Sequence, residues 1–475
     1  MHKIGLPRFH QAPLLYVIQK EKRVNSSSCF FVLKLTPVHK EVLSTMAASS
    51  TISSNVFSFS QAATKKKNCY SQSHHPFSIN AFRNQNPSFI STTTSLRNRF
   101  SQWSTSASSR FEFDLSPPPI DHDLLDTMED LGATISEDGT VETFDNDDEA
   151  FNAATDNGVA VVDLTHFGRI RVTGEDRIQF LHNQTTANFE SLREGQGCDT
   201  VFVTPTARTI DISHAWIMKN AITMVVSPET CHSIIEMLTK YIFFADKVEI
   251  HDITKQTCFF TLIGPKCNQL MEDLNLGDLV GQPYGTHRHY TVNGMPITVG
   301  VGNLISEDGF SLLSSPAAAE SVWKTLLSLG ATPMGANGWE RLRISQGRPA
   351  PEKELTDEFN ALEAGLWNAV SLNKGCYKGQ ETIARLVTYD GVKQKLWGLH
   401  LSAPAIPGSL ITVDGKKVGK LTSYTTGGKE SKHFGLGYIK RQGASAGDEV
   451  NVGEEVVGTV VEVPFLARQT PLTKA

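Results

Sequence analysis

Acidic and basic residues are segregated along this chain, and the segregation limits which part of it can fold. Residues 46–110 contain no Asp or Glu, and residues 46–109 hold 23 Ser and Thr with interspersed Lys and Arg. A segment of this composition cannot bury enough apolar surface to offset the entropy lost on folding. It is typical of organelle transit peptides. We therefore predict that residues 1–110 are an upstream extension and a transit peptide, both disordered.

The destination of that segment is suggested by its first residues. The string MAASS at residues 46–50 resembles the start of a plant chloroplast transit peptide. It predicts import into the chloroplast stroma, with translation beginning at Met46. A mitochondrial address is the alternative, because mitochondrial presequences also lack acidic residues.

The charge reverses immediately after this segment. Residues 111–149 carry 14 acidic residues and no Lys or Arg, and the charge is nearly balanced from residue 150 onward. We predict an acidic linker over 111–149, with one short helix around residues 121–131. The rest of the chain lacks the broad basic field that nucleic-acid binding requires. It also lacks the roughly 20-residue apolar run of a membrane span, so neither nucleic acid nor a membrane is a predicted partner.

The sequence pattern of the remaining residues predicts two folded regions. Residues 150–390 mix alternating apolar runs with helical 3–4 spacing, which predicts an α+β region made of two subdomains. Residues 391–475 consist of short β-type runs separated by turns such as Asp414-Gly415. This spacing predicts a C-terminal β-barrel domain followed by a tail.

The cysteines argue against a metal site built from this chain's own spacing. None of the seven forms a CxxC pair, so no zinc ribbon or conventional cluster site is predicted. Cys376 differs from the others because Gly375 and Gly379 place it in a tight loop. Lys374 and Lys378 would stabilise a thiolate if their ammonium groups lay near the sulfur. A reactive thiol and an ordinary loop cysteine both fit this pattern.

The strongest motif is the string KGCYKGQE at residues 374–381. It resembles the signature of the folate-dependent iron–sulfur cluster maintenance proteins, a family related to the glycine-cleavage T-protein. The signature comprises Lys374, Gly375, Cys376, Tyr377, Lys378, Gly379, Gln380 and Glu381. Further segments resemble the wider T-protein family in order, namely residues 163–168, 170–174, 180–186, 306–310, 360–366, 419–423 and 435–438. The resemblance covers about residues 150–465.

This resemblance implies a fold and a ligand. It implies a T-protein-like, three-domain cloverleaf with tetrahydrofolate or another reduced folate in a central channel. Glu307 is then the candidate for pairing with the pterin edge, and Asp211 the candidate near the reactive nitrogen. Glu363 is a third candidate for contact with the folate. Read without the family, the three residues fit a polar turn, a strand-edge carboxylate and a helix brace.

Two departures from the T-protein pattern bear on the activity. Residues 338–347 match a run in which T-proteins usually have an arginine where Trp339 stands and a glutamate where Ser345 stands. These changes count against aminomethyl transfer from a lipoyl carrier. The leading hypothesis is a tetrahydrofolate-binding protein that supports iron–sulfur cluster assembly or repair, with Cys376 essential.

Two alternatives stay open, and each predicts a different partner. A folate-dependent one-carbon transferase, related to aminomethyltransferase, would turn over a folate substrate. A non-enzymatic scaffold would instead bind cluster-assembly proteins or client enzymes, with little dependence on folate.

Overall fold

The computed structural model describes residues 122–427 and 432–469. The predicted transit peptide and the first part of the predicted linker lie outside these residues. The described part contains these helices: α1 (His122–Asp130), α2 (Asp147–Asn152), α3 (Arg177–Gln184), α4 (Pro228–Lys240), α5 (Cys267–Asp273), α6 (Pro316–Ser328), α7 (Ala336–Gln346), α8 (Gln380–Thr388) and α9 (Pro464–Arg468).

A small hairpin and a six-stranded sheet form one side of the fold. The hairpin consists of β1 (Thr134–Ile135) and β2 (Val141–Thr143). The sheet has the order β10-β11-β12-β9-β3-β13, and its strands are antiparallel except for the β3–β13 pair. Its strands are β3 (Ala160–Asp163), β9 (Cys258–Ile263), β10 (His287–Val292), β11 (Met295–Val301), β12 (Gly309–Ser314) and β13 (Thr332–Met334).

A five-stranded antiparallel sheet has the order β5-β6-β7-β4-β8. Its strands are β4 (Gly168–Thr173), β5 (Gly197–Val203), β6 (Thr209–Ile217), β7 (Ala221–Val226) and β8 (Glu249–Asp252). Apolar side chains of α3 and α4 cover one face of this sheet and share a core with it. Side chains alternate between the two faces of a strand, so the opposite face of β6 is directed away from α4.

The C-terminal strands close into a barrel in the order β14-β17-β16-β15-β18-β19. They are β14 (Gln394–Leu401), β15 (Leu410–Val413), β16 (Lys416–Thr426), β17 (His433–Lys440), β18 (Glu449–Val452) and β19 (Val456–Val461). Closure leaves no unpaired edge, which removes the hazard of edge-to-edge association. The predicted α+β fold with a C-terminal β-barrel is therefore confirmed.

The described part of the predicted acidic linker is folded, so the linker prediction is wrong for residues 122–149. Leu124, Met128 and Val141 are buried in the core of the six-stranded sheet, and Phe144 stacks on Trp323 with ring centroids 6.3 Å apart. The acidic residues occupy the solvent side of the same elements. Net charge masked an amphipathic pattern with few apolar positions, although the short helix predicted around residues 121–131 is present as α1.

None of the helices within the described ranges has the length and apolar character needed to cross a bilayer.

Candidate functional site

The loop of residues 374–379, here called the signature loop, is fastened to the end of α3. Nζ of Lys374 donates hydrogen bonds to the backbone carbonyl oxygens of His182, Thr185 (2.7 Å) and Ala187 (2.6 Å). Carbonyl groups at the C-terminal end of a helix lack helical partners and carry partial negative charge. An ammonium group is therefore well placed there, and it fixes the path of the loop.

The lysines of the signature loop do not pair with the thiol between them. Lys374 is held by the carbonyl oxygens, and Nζ of Lys378 lies 4.0 Å from the ring centroid of Tyr241. Burial lowers the pKa of Lys374 to about 7 and that of Lys378 to about 8. The three carbonyl oxygens around Lys374 nevertheless favour its charged form. Cys376 itself is exposed.

Asp211 is fully buried and holds the start of α4. Its carboxylate accepts hydrogen bonds from the amide of Ser227 (2.7 Å), the hydroxyl of Ser227 (3.0 Å) and the hydroxyl of Thr230 (2.6 Å). Burial raises the pKa of Asp211, and these hydrogen bonds together with the charge of Arg348 oppose the rise. A carboxylate satisfied in this way at a helix N-terminus is a structural brace.

The other two acidic candidates lie elsewhere. Glu307 is exposed in the turn between β11 and β12. Glu363 is buried and accepts a hydrogen bond from the amide of Asn360 at 3.2 Å, which braces a turn before the barrel. Burial raises the pKa of Glu363. The three carboxylates predicted as folate contacts thus have separate local surroundings, and their contact with a folate stays a prediction.

A different set of side chains does converge, and we call it the interior cluster. It consists of Asp199 on β5, His214 on β6, Tyr284 just before β10 and Arg468 on α9. Oδ1 of Asp199 accepts hydrogen bonds from Nδ1 of His214 (2.8 Å) and from the hydroxyl of Tyr284 (2.7 Å). A guanidinium nitrogen of Arg468 lies 3.6 Å from Oδ2 of the same carboxylate. The five-stranded sheet, the segment before β10 and the helix after the barrel contribute to this cluster.

The charges in the interior cluster are mutually supporting. Burial alone would raise the pKa of Asp199, but the hydrogen bonds from His214 and Tyr284 and the charge of Arg468 outweigh it and lower the pKa. Burial and the adjacent carboxylate raise the pKa of Tyr284 well above its usual value. The cluster therefore contains an ionised Asp199 beside a protonated tyrosine and a cation.

Several buried polar atoms around this cluster have no hydrogen-bond partner. They include all three guanidinium nitrogens of Arg468, Nε2 of His287 and Nε1 of Trp216. The rings of Trp216 and His287 are stacked with centroids 5.5 Å apart. Such unsatisfied atoms are rare in protein interiors, because each costs about 1–3 kcal/mol. These atoms are free to form hydrogen bonds with water or with a bound molecule.

Glycine permits the two sheets to approach closely at this point. A Cβ atom at Gly300 on β11 would lie 2.5 Å from the ring of Trp216. A residue with a side chain would therefore push the indole away from the sheet interface. Gly300 thus helps to place Trp216 and His287 beside one another.

Two surface cavities lie elsewhere. One of about 540 Å³ lies between α7 and β16 and is lined by Glu340, Lys353 and Tyr424 among others. Another of about 900 Å³ is lined by residues around α2, including Asp145 and Asn152. Neither is lined by a residue of the interior cluster or of the signature loop, so neither belongs to the candidate site.

Helix α7 contains Trp339 and Ser345, the two residues that depart from the T-protein pattern. Trp339 is buried and packs edge-to-face on Phe167, with ring centroids 6.1 Å apart. The hydroxyl of Ser345 donates to the carbonyl oxygen of Leu342 within the same helix. Both positions therefore serve packing and helix structure.

Sequence reasoning missed the interior cluster because its members belong to no local motif. The available signal was weaker: Asp199 and His214 are polar residues interspersed with the apolar residues of their strands. A polar group in such a strand needs a partner when it is buried, and the cross-strand pairing of β5 and β6 sets these two residues directly opposite one another. Arg468 could be connected to them only through the complete fold.

Comparison with family models gives two matches that together cover the sheets and the barrel. Residues 142–374 match the GCVT N-terminal domain, and residues 394–467 match the glycine cleavage T-protein C-terminal barrel domain. The second match coincides with the closed barrel and α9.

Comparison with individual proteins agrees with this. Over 367 residues the chain is 73% identical to a chloroplastic protein of Arabidopsis thaliana whose name provisionally calls it a transferase, covering 77% of this chain and 85% of that protein. It is 28% identical over 318 residues to the aminomethyltransferase of Geobacillus kaustophilus, covering 64% of this chain and 86% of that enzyme. The first of these relatives confirms the predicted chloroplast localisation.

A solved structure shows the same fold. The crystal structure of the glycine cleavage system aminomethyltransferase T from Bartonella henselae superposes with a TM-score of 0.64 at 18% identity. The match covers 72% of this chain and 97% of that protein. It confirms the T-protein-like fold that the motifs predicted.

Proposed function

We propose, from the premise that this chain belongs to the family of the glycine cleavage T-protein, that it binds a reduced folate and supports iron–sulfur cluster assembly or repair in the chloroplast. Membership in this family makes it an aminomethyltransferase-like protein of the folate-dependent transferase class. The cluster-related role is the finer proposal. The observation that carries it is Cys376, exposed on a loop that Lys374 fixes to α3.

The interior cluster has the groups that a reduced folate would need. The guanidinium of Arg468 lies 3.6 Å from the Asp199 carboxylate but makes no hydrogen bond to any described residue, so its N–H groups could also donate to a carboxylate or a pterin carbonyl group of the ligand. Burial lowers the pKa of His287 to about 4, so its ring is neutral. Nε2 of this ring is a hydrogen-bond acceptor to which no described group donates. The stacked rings of Trp216 and His287 form a buried aromatic wall beside the cluster. When bound, a reduced folate supplies a carrier for one-carbon units.

The buried Trp339 supports a role other than glycine cleavage. The arginine that T-proteins usually have at this position is replaced by a side chain that packs in the core. Meanwhile, the signature loop provides an exposed sulfur. A thiolate can ligate iron transiently, reduce an oxidised partner or attack an electrophilic carbon, and each of these roles needs the sulfur atom itself.

An iron–sulfur cluster handled by this protein is cargo, and it needs more than one protein side chain to hold its iron atoms. Within residues 122–427 and 432–469, no group of three or more His, Cys, Asp or Glu side chains is arranged to hold a metal ion. Iron–sulfur clusters are commonly held by four thiolates. We therefore propose that Cys376 acts together with a cluster-assembly protein or client enzyme that contributes other ligands.

Folate binding is tested by calorimetry on the full chain with tetrahydrofolate. Arg468→Met should weaken binding about ten- to a hundredfold, the loss of one charged hydrogen-bonding partner. Arg441→Met is the matched control, because Arg441 is exposed and pairs with Asp390 on the surface. Glu307→Gln tests the pterin contact implied by the motif. Wild-type affinity in Arg468→Met would show that the folate binds elsewhere.

The role of Cys376 is tested by complementing a plant line that lacks the protein. Cys376→Ser preserves size and should leave folate affinity unchanged while abolishing recovery of chloroplast iron–sulfur enzyme activities. Cys198→Ser, a partly buried cysteine on β5, is the control and should complement. Full recovery with Cys376→Ser would contradict the proposal. Conversion of tetrahydrofolate to its 5,10-methylene form with an amine donor would instead favour the one-carbon transferase.

A further inference from the structure

We propose that His214 is an acid–base group of the interior cluster, held by Asp199 and Tyr284 so that its Nε2 atom exchanges a proton with the bound ligand. This inference rests on the proposed function, because the ligand is the reduced folate of the preceding section. It assigns a chemical role to a residue that no motif in the sequence identifies.

Hydrogen bonding fixes the orientation of the His214 ring. Nδ1 lies 2.8 Å from Oδ1 of Asp199, and the hydroxyl of Tyr284 donates to the same oxygen at 2.7 Å. Because Asp199 is an ionised acceptor, Nδ1 of His214 carries a proton and donates it to the carboxylate. Nε2 then has the free lone pair, and it makes no hydrogen bond to any described residue.

The surroundings of the ring are formed by several elements. The titratable and charged groups that face this part of the cluster are Asp199 on β5, Tyr284 before β10, His287 on β10, Arg468 on α9 and the buried Arg348 after α7. Trp216 on the same strand packs edge-to-face on His214, with centroids 5.8 Å apart. The ring is therefore held on its sides by aromatic and charged groups, while Nε2 is left for the ligand.

The proposed step moves one proton. Nε2 of His214 takes the proton of a positively charged ligand N–H group, whose electron pair stays on the nitrogen, so the ligand nitrogen becomes neutral and the ring becomes an imidazolium. The positive charge then lies beside the Asp199 carboxylate, which stabilises it. Return of the proton restores the neutral ring. A carboxylate that orients and stabilises a histidine in this way is the arrangement found in Ser-His-Asp enzymes.

The orientation of β6 explains why His214 takes this role while Asp211 does not. Residues 211 and 214 differ by an odd number along the strand, so their side chains point to opposite faces. Asp211 points to the face covered by α4, where Ser227 and Thr230 satisfy it. His214 points to the face that meets Tyr284 and Arg468.

The test is a pH titration of the histidines in the full chain, monitored by nuclear magnetic resonance of carbon-labelled imidazole rings. His214→Gln identifies the His214 signal. Saturating tetrahydrofolate should move the midpoint of the His214 titration by about one pH unit, a tenfold change in its proton affinity. The exposed His251 on β8 is the control, and its midpoint should not move. Asp199→Asn should reduce the ligand-induced shift of His214 by at least half.

The possible outcomes separate this inference from the proposed function. Tetrahydrofolate binding without movement of the His214 midpoint would overturn the inference and leave folate binding intact. A shift that Asp199→Asn leaves undiminished would also overturn it, since the carboxylate would then have no part. Absence of any tetrahydrofolate binding by the wild-type chain would overturn the proposed function. If His214→Gln does not fold, the signal is assigned from through-bond spectra of the wild type.

Discussion

Arg343 on α7 joins this helix to the barrel, and its replacement by Met should strongly destabilise the protein. The side chain is 2% exposed. It donates to both carboxylate oxygens of Glu340 at 2.7 and 2.8 Å, to Glu354 at 3.0 Å and to the hydroxyl of Ser423 on β16 at 3.1 Å. Met has similar length but no donor.

The expected loss follows from what remains buried. Glu354 is 0% exposed. Without Arg343 it keeps only neutral donors, namely the hydroxyls of Thr422 and Ser423 and the amide of Ala350. Breaking a buried ion pair by removing one partner costs about 3–5 kcal/mol. We expect the lower end of that range, about 3 kcal/mol, because those three donors still stabilise the carboxylate.

The measurement is urea unfolding of the full chain, monitored by circular dichroism. Lys353→Met is the matched control, since Lys353 pairs with Glu340 but is 47% exposed at its side chain. An exposed pair contributes about 0–1 kcal/mol. Adding Glu354→Gln to Arg343→Met removes the stranded charge and should recover about 1–2 kcal/mol. A difference below about 1 kcal/mol between Arg343→Met and Lys353→Met would refute this reasoning.

Three further predictions concern the thiols, a buried histidine and α7. At pH 8, iodoacetamide should label Cys376 at least about a hundredfold faster than Cys198 and Cys267, because burial raises the pKa of those two thiols to about 12; equal rates in peptide mapping would exclude an accessible loop. As the pH falls from about 6.5 toward 4, the free energy of unfolding should drop by up to about 1.4 kcal/mol per unit. The reason is that the pKa of His287 is lowered to about 4, so the unfolded chain binds a proton that the folded chain does not. Urea unfolding at several pH values should show a shallower slope for His287→Gln, and an unchanged slope would count against this assignment. Trp339→Arg, which restores the residue type usual in T-proteins, should cost at least about 3 kcal/mol by burying an unpaired charge. Trp339→Phe should cost less, and similar urea midpoints for the two variants would show that the position is not part of the core.

The sequence predicts most of the fold because the fold depends on local patterns. The period-2 runs and turn residues of the barrel are sufficient to indicate closed β structure, and the T-protein motifs indicate the rest. The linker prediction failed because the many acidic residues of 111–149 are typical of a solvated segment. The segment also carries a few apolar side chains, such as Met128 and Phe144. Those side chains are enough to hold the segment on a core that other parts of the chain supply.

The candidate site was harder to predict because it depends on direction and distance. Asp211 and His214 are three positions apart on one strand. Only the pairing of β5 with β6 shows that His214, and not Asp211, faces Asp199 in the interior cluster. Lys374 precedes Cys376 by two residues, yet its ammonium group is bound to carbonyl oxygens at the end of α3. Proximity in sequence therefore does not show which group Lys374 contacts, and the role of Asp211 toward a folate stays a prediction.

The position of Arg468 has a consequence for when the protein becomes able to bind its ligand. Asp199 and His214 lie early in the folded region, whereas Arg468 ends the last described helix. A ribosome, or a membrane pore through which the chain passes amino end first, releases this helix after every other described element. If the interior cluster binds folate as proposed, binding would begin only after α9 has emerged, and a chain truncated before Pro464 would not bind.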